Sequence, residues 1–318
     1  LSAGGTHTCG LTTDDRLACW GNDQAGQASP PTDRFQQVSA GRDHTCAIQV
    51  PTTGAAAIFL DSATIFALAA GNSPVTVFGQ SGQEQLIIQP GATAIAADQH
   101  IGRIDLAGVP GDYLYQQTGN LLAIFKGGTL IIRAPIQGDA DGTVIGFSTG
   151  KASARLTGLT MTLGGATLPT TAPGSLTPSL SLSATSIPQG TAQVFLDPNS
   201  RFNSVAGNGP TYLYGGLGQE TIGIPLGSHD LIADQNIERI DLEGLPSDYR
   251  YQQTGNVLGV YRDGLLVITV PVQGDADGTV IGFSTGTASA KLTGTTMTLG
   301  GAPIPTDAPG IVNPTLSL

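Results

Sequence analysis

The sequence predicts an all-β protein, with two tandem β-sandwich or β-roll-like modules preceded by a short β segment of another kind. Three observations carry that expectation. Charged residues make up only 12 % of the chain and aromatic residues 5 %, while 45 glycines and 20 prolines interrupt it throughout, a profile of turn-punctuated strands rather than helices. No helix-length stretch repeats its apolar residues with a 3.6-residue period. Finally, the chain repeats itself. Residue 59 stands over residue 195, and the same offset of 136 residues holds without a gap to the end.

The repeat sets the boundaries. "DQHIGRIDLAG" (98–108) falls on "DQNIERIDLEG" (234–244), "YQQTGN" (115–120) on "YQQTGN" (251–256), and "QGDADGTVIGFSTG" stands unchanged at 137–150 and 273–286. One module therefore spans 47–182 and the next 183–318. Within the first, short apolar or alternating runs predict strands at Val75–Phe78, Gln85–Ile88, Ile101–Leu106, Tyr113–Gln116, Leu121–Phe125, Thr129–Arg133, Thr143–Phe147 and Ala152–Leu156, each with a copy in the second. The Pro, Ser and Thr-rich stretch 168–190 is expected to be an extended linker between modules.

Residues 1–46 follow a different pattern. "SAGGTHTCGL" (2–11) recurs as "SAGRDHTCAI" (39–48), with "LACWGNDQAGQASPP" between them. This resembles the repeat of RCC1-type β-propellers in the short form found in bacterial secreted proteins. The resemblance covers about one repeat and the start of another. It implies a propeller blade whose family cysteine pair falls on Cys9 and Cys19, and hence a disulfide in an oxidising compartment. Cys46 is left without a partner in the repeat. A closed propeller needs four to eight blades, so this segment is either the end of a longer array or a blade reused as an appendage. His7 and His44 occupy equivalent positions and are read as structural hydrogen-bonders, and Trp20 as packing.

The formal charge of −11 and a pI near 4.5 exclude a phosphate backbone as partner, since no basic stripe offsets the repulsion. No apolar run approaches the roughly 20 residues of a membrane-spanning helix. The chain starts at Leu1 without a Met or signal-like segment, which is read as a mature product or an excerpt. Catalytic signatures such as G-x-S-x-G, H-E-x-x-H or a P-loop do not occur, and no enzyme activity is expected.

Two motifs raise the question of a metal. In "GDADGT", Asp139 and Asp141 (copied as Asp275 and Asp277) stand two apart, as the first acids of a calcium loop do. Asp-Gly between apolar runs is equally a hairpin turn. The second motif is "FGQSGQEQLII" (78–88), matched by "YGGLGQETIGI" (214–224). It resembles one unit of the glycine-rich nonapeptide of RTX-type β-rolls, with Glu84 and Glu220 in place of the ion-binding Asp. The strand-rich segment that follows, "RIDLEGLPSDYRYQQTGNVLGVYRDGLLVITVPVQGDADGTVIGFSTG", resembles segments of large bacterial RTX-type adhesins and surface proteins. The resemblance implies export, tandem β domains and calcium as the cofactor. The acids Asp98, Asp105 and Asp112, with their copies, are expected on solvated surfaces, the alternative being that they gather round an ion.

These readings converge on an extracellular structural protein of the bacterial cell surface. It would be a subunit of a filament, layer or matrix, its main partner another copy of itself. Assembly is expected through exposed strand edges, with the terminal Asn313, Pro314, Thr315, Leu316, Ser317 and Leu318 as the donated strand. The alternative is a calcium-stiffened adhesin stalk that binds a glycan or another cell-surface ligand, with Tyr113, Tyr115, Tyr249 and Tyr251 as the sugar-stacking residues.

Overall fold

The computed structural model describes residues 2–11, 17–22, 28, 35–42, 45–49, 56–72, 74–136, 142–182, 186–216, 218–274 and 277–317, without the side chains of 11, 35–37 and 46–49. The chain forms two compact units, Leu1–Thr53 and Gly54–Leu318. In the first, β1 (Ser2–Ala3), β2 (His7–Leu11) and β3 (Leu17–Gly21) make an antiparallel sheet, and β4 (Phe35–Ala40) pairs with β5 (Thr45–Gln49).

The second unit is a β-solenoid. Its first copy contains β6 (Ala56–Leu60), β7 (Ile65–Leu68), β8 (Val75–Phe78), β9 (Glu84–Ile88), β10 (Ile95–Ala97), β11 (Ile101–Leu106), β12 (Leu114–Thr118), β13 (Leu121–Lys126), β14 (Thr129–Pro135), β15 (Thr143–Phe147), β16 (Gly150–Thr157), β17 (Thr160–Leu163) and β18 (Ala166–Thr167). The second copy contains β19 (Ala192–Leu196), β20 (Arg201–Asn203), β21 (Thr211–Tyr214), β22 (Glu220–Ile224), β23 (Leu231–Ala233), β24 (Ile237–Leu242), β25 (Arg250–Thr254), β26 (Val257–Arg262), β27 (Leu265–Pro271), β28 (Thr279–Phe283), β29 (Gly286–Thr293), β30 (Thr296–Leu299) and β31 (Ala302–Pro303).

The chain alternates between two sheets as it winds. β6, β8, β10 and β14 pair in parallel in one sheet, and β7, β9, β11 and β15 in the other. Each turn thus places one short strand on each wall, and the inward residues of both walls meet in the core. The strands are too short and too apolar to alternate visibly, as in "IFAL" with its three buried positions. For that reason β6, β7 and β10 escape a periodicity reading. Antiparallel strands close each copy, β12–β13 beside β14 and β16–β17–β18 beside β15.

"GDADG" connects β14 to β15, which lie in different sheets. The two strands it joins are therefore not a hairpin pair. Its residues 138–141 lie outside the described ones, but the Gly142 that ends it has φ +63°. A Cβ at that position would stand 2.2 Å from the Ala154 carbonyl oxygen, so the glycine is required by space as well as by conformation.

The two copies are not strung on a linker. β6 and β19 pair antiparallel, joining both copies in a sheet of twelve strands, and one apolar core runs through them. Ile58 and Val194, which are equivalent in the repeat, are partners in that pairing. A local pseudo-twofold axis therefore passes between them. The stretch expected to be a linker instead straps its own module. Tyr115 exchanges backbone hydrogen bonds with Gly174 and Lys151 with Ser181, at 2.8–3.0 Å, while Leu168 is buried.

Candidate functional site

Of the residues singled out for metal binding, Asp277, Glu84 and Glu220 lie among the described ones. Asp139, Asp141 and Asp275 lie outside the described residues, and Asp277 is exposed. Glu84 is fully buried, and its carboxylate accepts hydrogen bonds from the backbone N–H groups of Ser81, Gly82 and Gln83 and from the Ser81 hydroxyl, at 2.9–3.3 Å. Burial by itself would raise its pKa, yet these hydrogen bonds bring it below the ordinary value of 4.5. Glu84 thus closes the 79–84 turn. Glu220 is buried in the equivalent place, where its Oε1 accepts from the Asn199 N–H at 3.0 Å.

Asp98, Asp105 and Asp112 also serve three separate places. Asp98 Oδ1 accepts from the N–H groups of Gly79 and His100, each at 3.0 Å. Asp105 pairs with Arg103 at 2.8 Å, and Asp112 accepts from the Val109 N–H at 3.1 Å. The copies Asp234, Asp241 and Asp248 do the same work, with Arg201 added at 2.6 Å from Asp241. Among the described residues no three His, Cys, Asp or Glu side chains gather.

Two further expectations are corrected. The terminal strand is not free. Ser317 exchanges backbone hydrogen bonds with Thr287 at 2.8 Å, the Thr315 N–H donates to Gly300, and Val312 is buried. The segment docks on its own module just as 177–182 docks in the first copy, because both need the same apolar contacts and backbone partners. The tyrosines expected to hold sugars are also unavailable. Tyr113 is 4 % exposed, Tyr249 2 %, and Tyr115 and Tyr251 are fully buried. The Tyr115 hydroxyl donates to the Pro110 carbonyl at 3.0 Å and that of Tyr251 to Pro246 at 3.1 Å.

Sequence reasoning missed the surface that stands out instead. On the outer face of the twelve-stranded sheet, Phe78 stacks on Phe59 (centroids 4.8 Å, planes 15° apart) and Tyr214 on Phe195 (4.7 Å, 15°). Phe59 meets Phe195 edge to face at 5.5 Å across the pseudo-twofold. Phe59 is 44 % and Phe195 41 % exposed. A groove of about 530 Å³ runs beside them, bordered by Asp61, Gln80 and Gln193. The only sequence signal was that 59 and 195, the pair anchoring the repeat, are both Phe on short strands with apolar neighbours.

The face extends as two cross-strand rows. One runs Phe78, Phe59, Gln193, Tyr212, Ile232, Thr269, and the other Tyr214, Phe195, Ala57, Thr76, Ala96, Arg133. Of these twelve residues Arg133 alone is charged. Aromatic and uncharged residues thus run across the middle of the sheet's outer face. Stacking covers one face of each ring in the two pairs.

In the N-terminal unit, Cys9 and Cys19 face each other across β2 and β3 and are joined by a disulfide. His7 is buried, with Nε2 2.8 Å from the Thr45 hydroxyl. His44 and the Cys46 side chain lie outside the described residues. Residues 1–27 match the family model described as the regulator of chromosome condensation (RCC1) repeat. No curated protein and no solved structure matches the chain. The RCC1 match stops well before the solenoid, so the solenoid's role rests on its own geometry.

Proposed function

We propose that this chain is a structural segment of an exported bacterial surface protein, a self-associating subunit of a filament, layer or matrix that sets distance and bears load. The observation that carries the reading is the junction between the copies. Backbone hydrogen bonds of β6 with β19 and a shared apolar core weld two 136-residue repeats into one body, whereas domains on a linker would swing. The Cys9–Cys19 disulfide supports an oxidising compartment.

The outer ends of the long sheet support it as well. β12 and β25 are strapped by Gly174 and Gly310, so they do not offer open edges to uncontrolled strand addition. Self-association then requires a surface other than the terminal strand. No ion is needed to hold the 79–84 turn, which Glu84 already closes.

The adhesin alternative draws on one observation, the exposed aromatic row. Sugars stack on flat, accessible ring faces, whereas here stacking already covers one face of each ring in the two pairs, which favours the structural reading. Electron microscopy of the purified chain over rising concentration tests the two. Ordered polymers or layers are the expected result. Particles that stay dispersed at every concentration while binding a glycan array would overturn the reading in favour of the adhesin.

A further inference from the structure

We infer that the outer face of the twelve-stranded sheet is the surface through which two copies of this chain associate, packed sheet against sheet and centred on the Phe59–Phe195 pair. The inference rests on the structural reading above and names the contact which that reading lacks.

Two observations select a second copy as the occupant. The first is charge. The chain carries −11, so two copies repel unless they meet where charge is sparse, and the two central rows hold only Arg133 among twelve residues, with Asp61 at the border of the groove beside them. The second is size. Twelve strands about 4.8 Å apart and roughly five residues long make a face of about 800 Å². That is close to what each partner contributes to a stable interface of standard size, about 800 Å².

Sedimentation equilibrium of the whole chain, from about 1 to 100 µM, reads the association, this being the range in which a standard-size interface shows itself. A reversible dimer is expected. The double variant F59D/F195D buries two unpaired carboxylates per molecule in that interface, and self-association should weaken at least about tenfold, with circular dichroism and melting near those of the parent because both side chains point outward.

A chain that is monomeric throughout would overturn the inference, as would a dimer unaffected by F59D/F195D. Polymers seen by microscopy that persist in F59D/F195D would sink this contact and leave the structural reading standing.

Discussion

The two copies of the module agree almost letter for letter in their antiparallel half and diverge in their parallel turns. β12 reads LYQQT against RYQQT in β25, and β17 and β30 are both TMTL, whereas VTVF in β8 faces TYLY in β21 and IFAL in β7 faces RFN in β20. The difference follows from what each half asks of a side chain. In the antiparallel half single residues serve several partners. Gln117 is buried, donates to the carbonyls of Gly119 and Leu159 at 2.8 Å each, and accepts from the Met161 N–H at 2.9 Å; Gln253 repeats all three contacts. In the parallel turns most inward positions need only be apolar and the outward ones only tolerable, so Thr76 and Tyr212 can occupy equivalent places.

The largest test removes what the copies share. Ile58 is fully buried on the pseudo-twofold, and Ile58→Ala should cost about 2–5 kcal/mol. Calorimetry of the parent should show residues 54–318 melting in one transition. Two separate transitions would mean that the copies are only neighbours.

Next come the glutamines. Gln117→Leu leaves a buried N–H and two carbonyls without their partner, and should lose about 2–4 kcal/mol in urea denaturation. Gln253→Leu should lose the same within error. A clear inequality would break the equivalence of the two closing halves.

A smaller effect concerns Glu84. Its pKa is held below the ordinary 4.5 in the folded chain, so it stabilises the fold above that value. The contribution is lost as pH falls through the lower folded pKa. Glu84→Gln should cost about 1–2 kcal/mol at neutral pH and flatten the acid limb of a stability profile. A limb left unchanged would assign the acid sensitivity to other carboxylates. The smallest change is expected from Thr76→Tyr, which writes the second copy's residue onto the first copy's outer face. Monomer stability should move by no more than about 0.5 kcal/mol, and a larger shift would show that the outward positions are constrained after all.

Several strands were legible without coordinates. Val75–Phe78, Ile101–Leu106 and Thr143–Phe147 lie where their apolar runs and bounding glycines put them, because a run of four to six β-formers between turn residues has few other uses. β6 and β10 were not legible. Ala-rich strands of five and three residues carry too little pattern, and they are strands only because parallel neighbours supply their hydrogen bonds. The partners of the acids were not legible for a related reason. Asp98, Glu84 and Asp112 look like ligands in a row of letters, but each spends its oxygens on backbone N–H groups of its own or a neighbouring turn.

What the sequence determined by itself was composition-deep and repeat-deep: an all-β chain, an RCC1-like beginning, and two copies of one module in register. Those follow from local preferences and from identity between distant letters, and neither requires contacts to be known. Tertiary structure alone decided that the copies share a sheet, that the proline-rich stretches strap rather than link, and that Phe59 and Phe195 face outward while Tyr115 and Tyr251 do not. The physical reason is that strand pairing and the choice of face are settled by partners far along the chain. A pairing such as Ile58 with Val194 is specified by the burial of both, and neither residue announces it alone.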